Sequence, residues 1–344
     1  MIPRLRSVLI PALCCLVTIP LRASTELVEI QRLVGTNLPS LSPEQLAAPT
    51  VDELLARLAP RARLSDPESS SAPELVPMTI PRRHSGDIGY IQLTNVSGDA
   101  DLKLATALED LRKEGPLQGL VLDLRFASGR DFAASARASS LFFAGGEPIL
   151  DWGEGVFAAP GRSNHFTAPV AILVNARTRG SAEALAAALR HGGRAVVIGN
   201  QTAGEASLLR DFTLTSGRVL HLAVAPVRTG DGQAIAGEGL NPDIRVATPV
   251  DAERRYVLEP YAPSPAETAG SATNAPDSST ANSGRRRVTE AELIRNKRQS
   301  LGLPDLPDTT QTGKESQAGN VPRVQDPALA RGLDFVTGLN AVRN

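Results

Sequence analysis

The sequence GLVLDLR at residues 119–125 decides the fold class of this 344-residue chain. Its short aliphatic run predicts a β-strand over residues 119–124, and similar runs predict four more strands. These lie at residues 88–93, 170–174, 195–198 and 219–224. Apolar residues three and four positions apart predict two helices between the strands, one with Leu104, Leu108 and Leu111 and the other with Ala182, Leu185, Ala186 and Leu189. Strands that alternate with helices are typical of an α/β domain with a mixed or parallel sheet, here residues 78–250.

The segment before this domain, residues 25–64, is predicted to be helical. Apolar residues form two helical stripes, at Leu27, Ile30 and Val34 and at Val51, Leu54, Leu55 and Leu58. The order Ser42, Pro43, Gln45 is typical of a capping box with proline in the first turn. Residues 65–77 are rich in Ser, Pro and Glu and lack periodicity, which predicts a linker and a domain boundary.

The segment after the domain, residues 262–344, is a low-complexity tail rich in Pro, Ser, Thr, Ala and Asn. Because such a composition buries little apolar surface, we predict that most of this tail is disordered. Two short helices are expected within it, a charged one over residues 288–301 and another that begins at Asp326-Pro327. The second has one apolar face, which suits docking on its own domain or binding a partner.

The first 23 residues are typical of a signal peptide. Arg4 and Arg6 precede an apolar run of about 15 residues, which is shorter than the roughly 20 residues that span a bilayer as a helix. We therefore expect export, to the periplasm or outside the cell, with a cleaved signal rather than an uncleaved anchor and with no stable membrane span afterwards. The two cysteines, Cys14 and Cys15, lie inside this run, so the mature chain is expected to form no disulfide or Cys-ligated metal site.

Composition excludes further classes of function. The 36 Lys and Arg residues nearly balance the 37 Asp and Glu residues, so no net field favours binding to nucleic acid. No cofactor or metal site is predicted, because the histidines lack metal-ligand spacing and each is expected to be structural. These are His84, His165, His191 and His221. A Ser-His-Asp site assembled in space is left open, although no sequence pattern supports one.

Six motifs in a fixed order resemble the catalytic domain of the C-terminal processing, or tail-specific, serine proteases. They are DIGYIQL at 87–93, GLVLDLR at 119–125, the strand 170–175 that ends in Asn, EALA at 183–186, RAVVIG at 194–199, and 237–244 with Gly239, Asn241, Pro242 and Asp243. The resemblance covers residues 86–246 and implies the spiral ββα fold that this family shares with ClpP and the crotonases. It also implies peptide or protein segments as ligands. The PDZ domain usual in the family has no room in the short predicted linker.

The family's serine and lysine are replaced in this chain. Its serine follows the pattern Asn-x-x-x-x-Ser-x-x-Glu, which Asn175 and Glu183 match with Gly180 at the serine position. Its lysine follows Thr-x-Gly, and here Thr202 and Gly204 are followed by Glu205. The resemblance further implies a supporting Gln four residues later, where Leu209 stands. Because glycine has no hydroxyl and glutamate no amine, the family's mechanism is expected to be absent.

Other cleft residues are altered as well. The family's glycine-rich turn after the GLVLDLR strand keeps Gly129 but has Arg130 in place of the next glycine, which is expected to disturb oxyanion stabilisation. Arg130, Arg179 and Glu205 all fall at the implied cleft, and we hypothesise that Glu205 pairs with one of the two arginines. The alternative is that all three are independent solvated side chains.

Three functional classes follow. The first is a noncatalytic pseudoprotease with a peptide-binding or regulatory role. The second is an active serine peptidase that uses Ser181 or another nucleophile, although Ser181 is more simply explained as a helix-terminal residue whose hydroxyl satisfies a backbone N–H. The third is a structural or assembly protein that acts through its terminal segments. Crotonase-like acyl chemistry, with a Glu as acid or base, has no cofactor signature to support it.

Overall fold

A computed structural model describes residues 25–66, 79–84, 87–258 and 324–343. The expected signal peptide, almost all of the expected linker and the helix predicted at 288–301 lie outside the described residues, as does the tail over residues 259–323.

The described residues form α-helices and β-strands of varied length. The helices are α1 (Thr25–Asn37), α2 (Pro43–Leu46), α3 (Val51–Leu58), α4 (Ala100–Lys113), α5 (Phe132–Ser139), α6 (Ser181–His191), α7 (Val250–Leu258) and α8 (Pro327–Arg343). The strands are β1 (Ala62–Ser65), β2 (Thr79–His84), β3 (Ile88–Leu93), β4 (Gly119–Asp123), β5 (Pro148–Asp151), β6 (Val156–Ala158), β7 (Val170–Val174), β8 (Ala195–Gly199), β9 (Ser207–Thr213), β10 (Val219–Pro226), β11 (Arg228–Thr229) and β12 (Ile244–Arg245). All five predicted strands and both predicted helices of the domain are present.

A six-stranded sheet forms the centre of the domain, in the order β12-β8-β7-β4-β3-β2. Five strands are parallel, and β2 pairs antiparallel with β3. Every residue of β3, β4 and β7 is buried, which is typical of parallel strands covered on both faces. Leu120 and Leu122 join the main core with residues of α4, α5 and α6. The predicted mixed α/β fold is confirmed.

A smaller antiparallel sheet, β1-β10-β9, supports the N-terminal helices. Its second core combines Leu27, Ile30 and Val34 of α1 and Leu54 and Leu58 of α3 with Leu220 and Leu222 of β10. The capping box predicted at Ser42 and Gln45 is present. The prediction of helix up to residue 64 was wrong after Leu58, because Ala62–Ser65 pairs with Val219–Leu222 and a strand ladder replaces the helix. Ser65, the first residue of the expected linker, also lies in this strand.

Several elements were not predicted from the sequence. They are α5, α7, β1, β2, β9 and β12, together with the β11-β5-β6 sheet. Helix α5 has few large apolar residues, and Asp131 starts it by accepting a hydrogen bond from the Ala134 N–H at 2.9 Å. These strands are short or amphipathic, so their formation depends on pairing with strands that are distant in sequence.

Helix α8 begins where the sequence predicted it, with Asp326 accepting hydrogen bonds from the Ala328 and Leu329 N–H groups. From Arg331 onward the helix covers the second face of the large sheet. A Cβ added at Gly332 would lie 3.3 Å from Leu173, and the Asn340 amide donates to the Gln118 carbonyl at 2.8 Å. Within residues 331–343, this packing favours docking on the chain's own domain.

Residues 248–330 form a second compact unit. Its described parts are residues 248–258, which include α7 with Glu253 and Tyr256 buried, and residues 324–330. Across all the described ranges, no helix combines the length and apolar character that crossing a membrane requires.

The contact between β4 and α8 can be tested at Gly119. A Cβ there would lie 2.0 Å from Val336 Cγ1, so Gly119→Ala should displace α8 and lower the free energy of unfolding by about 2 kcal/mol. Val336→Ala alone should cost a similar amount by leaving a cavity. In the double variant, the alanine at position 336 leaves room for the new methyl at position 119. The double variant should therefore lose clearly less free energy of unfolding than the two single variants lose in sum. Urea denaturation measures all three, and strict additivity would contradict the docking.

Candidate functional site

Four loops meet at the carboxyl edge of the large sheet. They follow β3, β4, β7 and β8, and parallel strands place such loops at one edge. Backbone hydrogen bonds join them, from the Val96 N–H to the Ser128 carbonyl at 2.8 Å and from the Ala203 N–H to the Thr178 carbonyl at 3.0 Å. The edge is therefore one connected structure, and it contains the positions predicted for the family's serine and lysine.

Buried polar residues at the ends of β4 and β7 hold these loops in place. Asp123 forms a buried ion pair with Arg125, with 2.6 Å between Oδ2 and Nη2. Asn175 Oδ1 accepts from the N–H groups of Phe126 and Arg177 at 3.1 and 3.0 Å. These contacts explain why polar residues end two otherwise aliphatic strands.

Gly180, at the predicted nucleophile position, immediately precedes α6. Its backbone has φ 61° and ψ −122°, a conformation that side chains adopt only with strain. A Cβ at this position would lie 2.2 Å from the Gly129 carbonyl oxygen. That oxygen occupies the space where a serine side chain would begin.

The first N–H groups of α6 are already used within the chain. The Gly180 N–H donates to Glu183 Oε2 at 2.9 Å, the Ser181 N–H to the Gly129 carbonyl at 3.0 Å, and the Ala182 N–H to the Arg179 carbonyl at 3.3 Å. An oxyanion needs donors that are free to point at it. These three groups point at internal acceptors instead.

Ser181 is fully buried at the start of α6. Its hydroxyl donates to the Val96 carbonyl at 2.5 Å, whereas the sequence analysis expected it to accept from a backbone N–H. A Cβ on Gly129 would lie 2.1 Å from this hydroxyl, so the turn packs directly on it. The hydroxyl is a structural link between α6 and the loop after β3.

Glu183 is a buried carboxylate that ties α6 to the loop after β8. Oε1 accepts from the Thr202 hydroxyl and from the Gly204 N–H at 2.6 Å, and Oε2 accepts from the N–H groups of Gly180 and Glu205 at 2.9 and 2.7 Å. Burial raises the pKa of the Glu183 carboxyl, and these four hydrogen bonds oppose that rise. In the sequence, Glu183 serves only to set the register of the family's serine motif.

The charged cleft residues form two separate ion pairs. Glu205 Oε1 lies 3.9 Å from Arg179 Nη1, with both side chains about one-third exposed, so the hypothesised pairing holds for Arg179. It does not hold for Arg130, which binds Asp211 instead, with two contacts of 3.2 Å. Arg130 pairs with Asp211 and not with Glu205 because strand β9 of the small sheet places the Asp211 carboxylate within reach of the Arg130 guanidinium. Leu209 lies two residues earlier on β9, opposite Ala223.

Three polar residues that sequence reasoning did not bring together lie on the small sheet. Ser65 Oγ is 2.9 Å from His221 Nε2, and His221 Nδ1 is 2.7 Å from Asp211 Oδ1. Arg130 also lies within 3.2 Å of His221 Nδ1. The signal that was missed is the polar–apolar alternation of β1, Ala62–Ser65, since neither this strand nor β9 was predicted. Within the described ranges, no group of His, Cys, Asp and Glu residues could hold a metal ion.

Comparisons with known proteins agree with the resemblance. The family model for peptidase family S41 matches residues 87–246. The carboxy-terminal processing protease CtpA of Bacillus subtilis is 30% identical over 175 residues, which are 50% of this chain and 37% of that protein. The carboxy-terminal-processing protease of Bartonella bacilliformis is 30% identical over 176 residues, 49% of this chain and 41% of that protein. The chain thus spans well under half the length of these relatives.

Solved structures give similar matches. The photosystem II D1 C-terminal processing protease is 26% identical with a TM-score of 0.41, over 50% of this chain and 47% of that one. A lipoprotein from Streptococcus agalactiae is 17% identical with a TM-score of 0.47, over 74% of this chain and 99% of that one.

The Glu183 network can be tested by removing its charge. Glu183→Gln places an amide NH₂ against backbone N–H donors and should lower the free energy of unfolding by roughly 3 kcal/mol. Glu205→Gln, which affects only a partly exposed ion pair, should lower it by less than about 1 kcal/mol. Equal losses in urea denaturation would contradict a central role for Glu183.

The packing of Gly180 can be tested against a second glycine of similar backbone conformation. Gly193 has φ 64° and open space at its Cβ position, so Gly193→Ser should cost only the backbone strain of about 1 kcal/mol. Gly180→Ser adds the collision with the Gly129 carbonyl and should cost at least ~2 kcal/mol more. Chemical denaturation of the two variants measures the difference, and equal costs would rule out the collision.

Proposed function

Because residues 87–246 form a domain of peptidase family S41, we propose that this tail-specific-protease-like protein is exported and binds peptide or protein segments without cleaving them through the family's serine-lysine mechanism. One observation carries the proposal: the Gly129 carbonyl lies 2.2 Å from the point where a side chain at position 180 would start. The space that a nucleophile needs is filled by main chain.

The state of the neighbouring groups supports the same proposal. Glu205 replaces the family's basic amine and forms an ion pair with Arg179, and Leu209 has no polar group to support a base. The Ser181 hydroxyl, the alternative nucleophile, is buried and donates to a carbonyl, so no base adjoins it among its described hydrogen bonds. Loss of both nucleophile and base removes a hydrolytic mechanism almost completely.

The cleft keeps features that suit binding. Arg130 follows Gly129 in the chain and Arg179 precedes Gly180, and the side chains of both arginines are partly exposed. Each forms an ion pair of modest strength, which a peptide carboxylate or backbone carbonyl can displace. A regulatory or peptide-binding role therefore fits the retained scaffold better than catalysis.

The proposal predicts binding without cleavage. A fluorescein-labelled peptide from an unstructured protein such as casein should raise its anisotropy on mixing with the mature chain and remain intact by mass spectrometry. Arg179→Ala and Arg130→Ala should each weaken binding about fivefold or more, as expected for loss of a charged contact. Arg57→Ala, an exposed arginine on α3, should have no effect.

Two results would contradict this function. Cleavage that disappears in Ser181→Ala would show an active peptidase that uses the alternative nucleophile. Absence of binding to any unstructured peptide, with the fold intact by circular dichroism, would favour the structural or assembly role.

A further inference from the structure

The small sheet carries a polar cluster that is separate from position 180. Asp211 on β9 lies directly opposite His221 on β10, and Arg63 on β1 lies opposite His221 on its other side. Side chains two residues apart on a strand share a face, so Ser65 projects from the same face as Arg63. This register explains the distances of 2.9 Å from Ser65 Oγ to His221 Nε2 and 2.7 Å from His221 Nδ1 to Asp211 Oδ1.

The contacts also determine where the protons lie. Burial raises the pKa of Asp211, but hydrogen bonds from His221 and Arg130 outweigh it, so the pKa lies below its ordinary value and the group is a carboxylate. Because a carboxylate only accepts, the proton between it and His221 belongs to Nδ1. In the neutral imidazole the Nε2 lone pair then faces the Ser65 hydroxyl. Arg130 holds the far side of the carboxylate through both of its oxygens.

The cluster is accessible, in contrast to Ser181. Ser65 is partly exposed, and the side chains of His221 and Asp211 are 14% and 46% exposed. Arg63 is exposed, and within the described part of the chain its guanidinium forms no ion pair or hydrogen bond. A free cation therefore lies two residues from the Ser65 hydroxyl on the same face.

We propose that Ser65, His221 and Asp211 form a second, hydrolytic site that acts on small carboxylic esters. The nucleophile, the base and the residue that orients the base are in contact in that order, which is the arrangement that activates a serine. The partial exposure of Ser65 and of the His221 and Asp211 side chains suits a small acyl group that approaches from solvent. This activity goes beyond the proposed function and does not depend on it.

The reaction has two balanced halves. His221 Nε2 takes the Ser65 hydroxyl proton as Oγ bonds to the acyl carbon, and Arg63 faces the negative charge that develops on the carbonyl oxygen. The ester C–O bond then breaks, and Nε2 returns the proton to the departing alkoxide, which leaves as the alcohol. Water repeats the sequence on the acyl-serine, giving the carboxylic acid and free Ser65.

The test uses the mature wild-type chain. It is treated with a fluorophosphonate, the labelled residue is identified by peptide mass spectrometry, and hydrolysis of p-nitrophenyl acetate is followed. The label is expected on Ser65. Ser65→Ala should abolish labelling, and Ser65→Ala and His221→Gln should each lower ester hydrolysis by roughly 100-fold. Thr213→Ala, which removes an exposed hydroxyl two residues from Asp211 on β9, should change neither.

The outcomes separate this site from the S41 cleft. Absence of label on folded wild-type protein, or ester hydrolysis unchanged in Ser65→Ala, overturns the hydrolytic site and leaves the proposed function standing. A label on Ser181 instead overturns both. Because the labelled residue is mapped in the wild-type chain, the result does not depend on whether a variant folds.

Discussion

The Glu183 carboxylate is the interaction on which the carboxyl edge of the sheet depends. Burying a charge raises the free energy of the folded state unless hydrogen bonds replace its hydration. The Glu183 carboxylate receives such hydrogen bonds from two separate segments. Gly180 belongs to the start of α6, and Thr202, Gly204 and Glu205 belong to the loop after β8. The Glu183 side chain therefore fixes the positions of both Gly180 and Glu205, where the resemblance places the family's serine and lysine. This network requires neither a serine nor a lysine side chain at those two positions.

The turn at Gly129–Arg130 and the start of α6 are held together by direct contacts. The Gly129 carbonyl accepts from the Ser181 N–H and blocks any Cβ at Gly180, so the turn and the helix close on each other. Arg130, the next residue of the turn, reaches across to Asp211 on the small sheet. This ion pair links the loop after β4 of the large sheet to the small sheet. These residues form a packed structure of their own.

Much of the domain was predictable because its central strands are short, aliphatic and buried on both faces. The positions of Gly180 and Glu205 followed from fixed motif spacing. Strands β1 and β9 were missed, since β1 has only four residues, β9 has no regular polar–apolar alternation, and both depend on pairing with the distant strand β10. Ser65 and His221 are 156 residues apart, so no local pattern could associate them. The role of Glu183 was also hidden, because its donors are backbone N–H groups that have no sequence signature.

The helix that covers the second face of the sheet has a consequence for the order of folding. Helix α8 follows every strand of that sheet in the chain, yet Val336 fills the space above Gly119 at its centre. Without this helix, the side of β4 and β7 that it covers loses its apolar contacts with Gly332 and Val336, and the sheet cannot reach its full stability. The large sheet therefore completes its folding only when residues 331–343 dock on it, so a segment far from the strands in sequence controls the last step of their folding.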